Sequence, residues 1–182
     1  MAATQKRLLK ELQAFQGPTP RPDGISVTLP NDGDLTHWHV TLPGPAGTPY
    51  EGGVFGLLVA LPEGYPFQPP AVTFATRVYH PNVTNDTPGQ ICLDLLKQGS
   101  EAGAARDCWS PSVKLEKVLL AVRALLAQPN PADPLELRIA EEYERDRPAF
   151  DKNARMYTQR YAKGQPRFAE ALAAAAEKAK KK

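Results

Sequence analysis

Cys92 is the residue of this sequence best suited to covalent chemistry. It lies in YHPNVTNDTPGQICLDLLK, residues 79–97, where the Asn, Asp, Gly and Pro residues before it are typical of a loop. A thiol that solvent and a partner can reach can act as a nucleophile in acyl transfer. An isolated cysteine is more often a small core residue, so position alone leaves a nucleophile, a metal ligand and a buried thiol as alternatives.

Few other residues could assist a thiol at this position. Cys108 is the only other cysteine, and the two lack the paired spacing of a zinc site, so we predict no metal. A papain-like hydrolase would need a histidine base, and the histidines are His37, His39 and His80. His37 and His39 alternate along a strand-like run, and nothing in the spacing of His80 requires a base.

Length and composition favour one main globular domain with a tail. The 182 residues are 42% hydrophobic and 23% charged, which is sufficient for a core. The apolar runs fall far short of the roughly 20 residues that cross a bilayer, and the charged N-terminus does not resemble a signal peptide. The net charge of +2 is too small to favour nucleic acid. We therefore expect free thiols, no membrane and no direct nucleic-acid binding.

Hydrophobic periodicity predicts the elements that position the Cys92 loop. Residues 3–16 place Leu8, Leu9, Leu12 and Phe15 at helical spacing. Four strand-like runs follow, ISVTLP, THWHVTLPG, GVFGLLVALP and AVTFAT, with turn residues between them. Helices are predicted after the loop in VKLEKVLLAVRALLAQ, LELRIAEEYERD and AFDKNARMYTQRYAK. This order predicts an α+β fold in which an N-terminal helix precedes a four-stranded antiparallel meander and C-terminal helices.

The last part of the chain is set apart by composition. GQP interrupts the helical pattern at residues 164–166, so we expect a domain at 1–163 and an Ala/Lys-rich tail or helical extension at 164–182. The extension offers few large apolar side chains beyond Phe168 and Leu172, so it is either a fluctuating helix or one packed through those two residues. Earlier in the chain, Asp133 precedes Pro134 and could cap the next helix.

Several ordered motifs resemble the catalytic domain of ubiquitin-conjugating enzymes. They are PYEGGVF, YPFQPP, YHPNV, GQICLDLL, WSPS and NPADPL, and they stand in register from about residue 4 to residue 163. The resemblance implies the UBC fold. PYEGGVF and RPAFDKNARMYT further resemble the T-type conjugating enzyme of the Fanconi anaemia pathway.

The resemblance implies an acyltransferase. Cys92 would accept the C-terminal carboxyl of ubiquitin from an activating enzyme as a thioester, which a substrate lysine then attacks. Asn82 would stabilise the oxyanion or order the loop, and Asp133 would orient the lysine and accept its proton. Asp94 is implied as a supporting residue. No cofactor is implied, because ATP is used by the upstream activating enzyme.

The resemblance also implies partner surfaces. Phe67 in YPFQPP, and Pro111 with Ser112 in WSPS, match the family's loops that receive RING-type ligases. Arg7 and Lys10, on the polar face of the first helix, could contact acidic grooves on the activating enzyme. A Fanconi-type ligase, a role in DNA repair and a nuclear or cytoplasmic location follow as expectations from the subtype.

Four further residues or segments complete the sequence-based expectations. His80 and Pro81 are expected to be structural residues that fix the loop. Lys97 matches a lysine of the T-type enzyme and is predicted as an automodification site. The 97–108 segment is expanded, and it could cover the cleft or tune ligase choice.

Two alternatives to ubiquitin conjugation remain open. A catalytically silent variant that only binds ubiquitin or a ligase would characteristically lack the nucleophile, whereas Cys92 is present. Conjugation of another ubiquitin-like modifier would use the same chemistry.

Overall fold

The protein's structure, a computed structural model, describes residues 2–99 and 108–181. The helices are α1 (Ala2–Gln13), α2 (Leu115–Ala127), α3 (Leu137–Arg145), α4 (Arg147–Tyr161) and α5 (Phe168–Lys180). The strands are β1 (Ser26–Thr28), β2 (His37–Pro43), β3 (Val54–Ala60), β4 (Ala71–Phe74) and β5 (Gly89–Gln90). A short 3-10 helix spans Asp94–Leu96.

The five strands form one antiparallel sheet in chain order, which confirms the α+β meander. The prediction of four strands missed β5, where Gly89 pairs with Phe74 and Gln90 with Thr73. Two residues are too few to show a period-2 pattern, so only pairing with β4 defines this strand. The consequence is functional, because β5 anchors the chain immediately before Cys92 to the edge of the sheet.

The core lies between the sheet and α2. Trp38, Val40 and Leu42 alternate along β2 and are buried, as period-2 geometry requires of one sheet face. They belong to the same apolar cluster as five of the six buried residues of α2, which are Leu115, Val118, Leu119, Val122 and Leu126. The apolar pattern that runs around most of α2 is explained by this central position.

Helix α1 packs on this core through a narrower face than its leucines suggest. Leu8 and Leu12 are buried, since they lie one turn apart on the same side of the helix. Leu9, which belongs to the same apolar pattern in the sequence, is 48% exposed. Leu9 follows Leu8 by one position and is therefore rotated by about 100° around the helix axis, which turns it away from the core.

The tail forms a helix, α5, that contacts the sheet through Phe168, whereas Leu172, expected to pack with Phe168, is 47% exposed. The Phe168 ring stacks on the His39 imidazole with centroids 4.3 Å apart, and Ala171 is fully buried. His39 alternates with the buried residues of β2, so α5 covers the opposite sheet face. A Cβ on Gly56 of β3 would lie 2.6 Å from the Pro166 Cβ, so glycine is required there for the close approach.

Within residues 2–99 and 108–181, no helix combines the length and apolar character needed to cross a bilayer.

Candidate active site

Cys92 lies two residues beyond β5, with its thiol partly exposed. Its backbone N–H donates to the Asn82 carbonyl at 2.9 Å, and its Sγ lies 3.2 Å from Asp133 Oδ2. Partial burial, followed by the hydrogen bond to the Asp133 carboxylate, raises the pKa of the Cys92 thiol. The resting sulfur is therefore a thiol that donates to a carboxylate, and it is less readily ionised than a free cysteine.

Asp133 joins the thiol to a lysine. Lys97 Nζ lies 3.2 Å from the same Asp133 Oδ2 and 2.8 Å from Asp94 Oδ1. The hydrogen bond from Cys92, and then the pair with Lys97, lower the pKa of Asp133. The carboxylates of Asp94 and then Asp133 raise the pKa of Lys97. These ion pairs are exposed and stabilise the fold little, but they show that an ammonium group fits beside the thiol.

Asp133 does not cap the following helix, which corrects the expectation drawn from Asp133 and Pro134. The residue at the N-cap of α3 is Glu136, which makes no side-chain capping bond. Asp133 lies too far before the helix for its carboxylate to reach the first turn, and that carboxylate contacts Cys92 and Lys97 instead.

Asn82 is buried behind the site. Its Nδ2 donates to the carbonyls of Asn130 at 2.7 Å and Asp133 at 2.9 Å, and its Oδ1 accepts from the Asn130 N–H at 2.8 Å. The two Nδ2 hydrogens are thus both engaged, and neither is directed to an oxyanion beside Cys92. Of the two roles that the resemblance implies, this geometry favours ordering of the segment that carries Asp133.

His80 and Pro81 hold the same loop from within. His80 is fully buried; Nδ1 accepts from the Asn82 N–H and Nε2–H donates to the Leu125 carbonyl, each at 2.9 Å. Burial lowers the pKa of His80 to about 4, so the ring is neutral. The Pro81 carbonyl accepts from the N–H groups of residues 135 and 136. Because both His80 nitrogens have backbone partners, this ring offers no base to Cys92.

Comparison with known proteins agrees with this geometry. Residues 7–158 match the family model described as "Ubiquitin-conjugating enzyme". This chain therefore belongs to the ubiquitin-conjugating enzyme family. A solved structure, the E2 domain of a Toxoplasma gondii ubiquitin conjugating enzyme, is 38% identical with a TM-score of 0.74, and the match covers 88% of this chain and 99% of that one.

In this ubiquitin-conjugating enzyme, the segments expected to bind a ligase lie side by side. Trp109 Nε1–H donates to the Pro66 carbonyl at 2.8 Å, and Gln98 Nε2 donates to the Phe67 carbonyl at 3.2 Å. The Phe67 side chain is 71% exposed, although it is a large apolar group. Pro111 and the neighbouring Ser112 are exposed as well.

Helix α1 is hydrogen-bonded to the second of these loops through Arg7, a residue expected to contact the activating enzyme. The Arg7 guanidinium donates to the Pro111 and Val113 carbonyls and, through Nε, to Glu11 at 2.8 Å. Lys10 is exposed and lines a cleft of about 340 Å³ together with Ser112. Arg7 lines the same cleft but is held by these hydrogen bonds, whereas the exposed Lys10 forms no salt bridge with any described residue.

Sequence reasoning did not identify Glu11 as a structural residue. Its carboxylate accepts from the Tyr65 hydroxyl at 2.8 Å and the Leu115 N–H at 2.6 Å, besides Arg7. The spacing of Arg7 and Glu11, one helical turn apart, was the available signal, but it predicts only a helix-surface pair. The tertiary contacts make Glu11 the link between α1, the loop before β4 and the start of α2.

Only the ends of the expanded segment 97–108 belong to the part of the chain that the structure describes. Residues 100–107 lie outside the described residues, so the expectation that segment 97–108 covers the cleft or tunes ligase choice stays a prediction. Among the residues that the structure does describe, no group of three or more His, Cys, Asp or Glu side chains is arranged to hold a metal ion.

Proposed function

We propose that this ubiquitin-conjugating enzyme carries ubiquitin as a thioester on Cys92 and transfers it to a substrate lysine with a RING-type ligase. The observation that carries the proposal is the shared carboxylate: Asp133 Oδ2 lies 3.2 Å from both the Cys92 thiol and a lysine ammonium. A nucleophile and an amine are thereby held beside one another at the surface.

The first step exchanges one thioester for another. Cys92 Sγ attacks the carbonyl carbon of ubiquitin's last residue on the activating enzyme, the new C–S bond forms, and the activating enzyme's sulfur leaves as a thiolate. The Cys92 proton passes to solvent or to that thiolate. Because one thioester bond is replaced by another, the step needs no strong base. This agrees with a site in which the pKa of the Cys92 thiol is raised.

The second step forms an amide. The substrate amine attacks the Cys92 thioester, the C–S bond breaks, and Cys92 leaves as a thiolate while the nitrogen loses a proton. Once sulfur is acylated it has no S–H to donate, so Asp133 is free to bind the incoming lysine in place of Lys97. A carboxylate of lowered pKa is a weak base, so its main contribution is to orient the lysine, and water takes the proton.

A charging assay tests the proposal. Wild type, Cys92→Ala and Cys108→Ala would each be incubated with ubiquitin, activating enzyme and ATP, and resolved with and without reductant. We expect a reductant-sensitive adduct one ubiquitin heavier in wild type and Cys108→Ala, and none in Cys92→Ala. An adduct that persists in Cys92→Ala would refute the assignment. Charging with a different modifier in place of ubiquitin would support the alternative cargo, and no charging at all would support a silent binding variant.

The subtype is part of the proposal. PYEGGVF, RPAFDKNARMYT and Lys97 support assignment to the T-type enzymes, with a Fanconi-type ligase, a role in DNA repair and a nuclear or cytoplasmic location. Lysine discharge of the charged enzyme, measured with a panel of RING domains, tests the ligase. Stimulation by other RING domains but not by a Fanconi-type one would remove the subtype and leave the conjugating activity in place.

Automodification of Lys97 is proposed from the same geometry. Lys97 and Cys92 contact one carboxylate oxygen, so the amine is close to the thioester. Its raised pKa keeps it an ammonium ion, so the reaction is expected to be slow. Intact-mass analysis of Lys97→Arg should show loss of the reductant-resistant adduct, and an undiminished adduct would refute the site.

A further inference from the structure

A second polar site lies outside the residues around Cys92. It is a cleft of about 340 Å³ bounded by the chain after β4, the end of α4 and the start of α5. Its charged lining residues are Arg77, Arg160, Lys163, Arg167 and Glu170. Four cations and one carboxylate in so small a space form a strongly positive cleft.

Most of this positive charge is not neutralised within the protein. Only Arg167 has a carboxylate partner among the residues that the structure describes, Glu170 at 3.4 Å, and both side chains are largely exposed. Arg77, Arg160 and Lys163 form no salt bridge with any described residue. Like charges held together repel one another, so an anion between them is favoured.

Two of the guanidinium groups are held in place by one aromatic ring. The Cζ atoms of Arg77 and Arg160 each lie 5.3 Å from the centroid of the Tyr161 ring. Arg77 is further fixed by donation from Nη2 to the Asn85 carbonyl at 3.0 Å. Its Nε is buried and has no acceptor among the described residues. Groups fixed before a ligand arrives lose little conformational entropy on binding it.

We propose that this cleft is a binding site for a phosphoryl group. A planar guanidinium matches the spacing of phosphoryl oxygens, and the excess of three positive charges over Glu170 suits a dianion. The volume is at the lower end of ligand pockets, which run from about 300 to 1,000 Å³. A phosphorylated side chain or a small soluble phosphate fits that description.

The ligand would bridge the catalytic domain and the tail helix. Arg77 and Arg160 belong to the domain, whereas Arg167 precedes α5 and Ala171 lies within it. Thr87 also lines the cleft and belongs to the loop between Asn82 and Cys92. A bound phosphoryl group therefore contacts the tail, the last turn of α4 and the active-site loop together.

Binding to the full chain tests the site with two probes. Pyrophosphate, and a short neutral peptide carrying one phosphoserine, would be titrated by isothermal calorimetry at low ionic strength, with the unphosphorylated peptide alongside. The cleft variant combines Arg160→Gln with Lys163→Gln. Its control combines Lys152→Gln with Arg155→Gln, two exposed cations of α4 that lie outside the cleft lining. Both variants remove two positive charges at exposed positions, so both should keep the wild-type thermal midpoint.

We expect saturable one-to-one binding that weakens by about tenfold or more in the cleft variant, because charge-assisted hydrogen bonds are lost, and by less than about twofold in the control. If pyrophosphate binds and the phosphopeptide does not, the ligand of the cleft is a small soluble phosphate. If the phosphopeptide binds, the ligand is a phosphorylated protein segment. Absence of saturable binding by either probe overturns the proposal. Equal weakening in the two variants, or equal binding of the unphosphorylated peptide, also overturns it.

Discussion

Replacing Asn82 by alanine separates the two roles that the resemblance implies for this residue. The substitution removes three hydrogen bonds to residues 130 and 133, at a position that is only 1% exposed. Each such bond contributes about 0.5–1.5 kcal/mol net, so Asn82→Ala should lower the free energy of unfolding by about 1.5–4.5 kcal/mol. Urea denaturation measures this loss, and single-turnover assays measure charging of Cys92 and discharge to free lysine.

Discharge should fall more than charging, because the segment that loses its anchor carries Asp133. Asn85→Ala is the matched control, since Asn85 lies in the same loop and its side chain makes two longer contacts with described residues: Nδ2 donates to the Tyr157 hydroxyl at 3.2 Å, and Oδ1 accepts from Arg77 at 3.5 Å. That variant should lose less than about 1 kcal/mol. If Asn82→Ala unfolds at the wild-type urea concentration and yet discharges about a hundredfold more slowly, the amide acts on the reacting atoms, and the structural argument is refuted.

Three further outcomes are expected. Because His80 stays neutral in the fold down to about pH 4 and takes up a proton near 6.5 when unfolded, stability should fall by about 3 kcal/mol as pH drops from 6.5 towards 4. Its imidazole NMR signals should not titrate above pH 5, and titration near 6.5 would contradict this. Burial and then the hydrogen bond to Asp133 raise the pKa of Cys92, and Asp133→Asn removes the second of these causes, so iodoacetamide should alkylate the enzyme that carries no ubiquitin faster, while lysine discharge slows by about tenfold or more. If alkylation and lysine discharge both become faster, or both become slower, Asp133 does not both hold the thiol and orient the lysine. Asp94→Asn removes the first cause of the raised pKa of Lys97, so its automodification, followed by intact mass, should accelerate by about two- to fivefold; an unchanged rate counts against the ion pair.

The elements with long, regular patterns were those that the sequence predicted. β2 and α2 carry their burial in their periodicity, because burial on one face leaves a repeating mark. β5 and the exposure of Leu9 were missed for opposite reasons. The strand is too short to show a pattern, and the leucine fits a pattern that the packing of α1 does not use.

The sequence indicated which residues belong to the candidate site, but it did not indicate the hydrogen bonds that these residues make. Motifs proposed Cys92, Asn82 and Asp133 as site residues, yet nothing in their spacing indicated that Asn82 donates both amide hydrogens to backbone carbonyls. The same holds for Lys97, whose ammonium shares an acceptor with the thiol. Side-chain hydrogen bonds between segments some 40 or 50 positions apart depend on how the chain packs.

The sequence by itself determined the residue types available for chemistry, the order of helices and strands, and the family resemblance, because these are properties of local pattern and motif. Only the tertiary structure decided which partners each functional group has. It placed Asp133 against Cys92 rather than on the first turn of α3, and it docked α5 on the sheet through Phe168. The physical reason is that hydrogen bonds and ring contacts depend on distances of a few ångströms, which long-range packing sets.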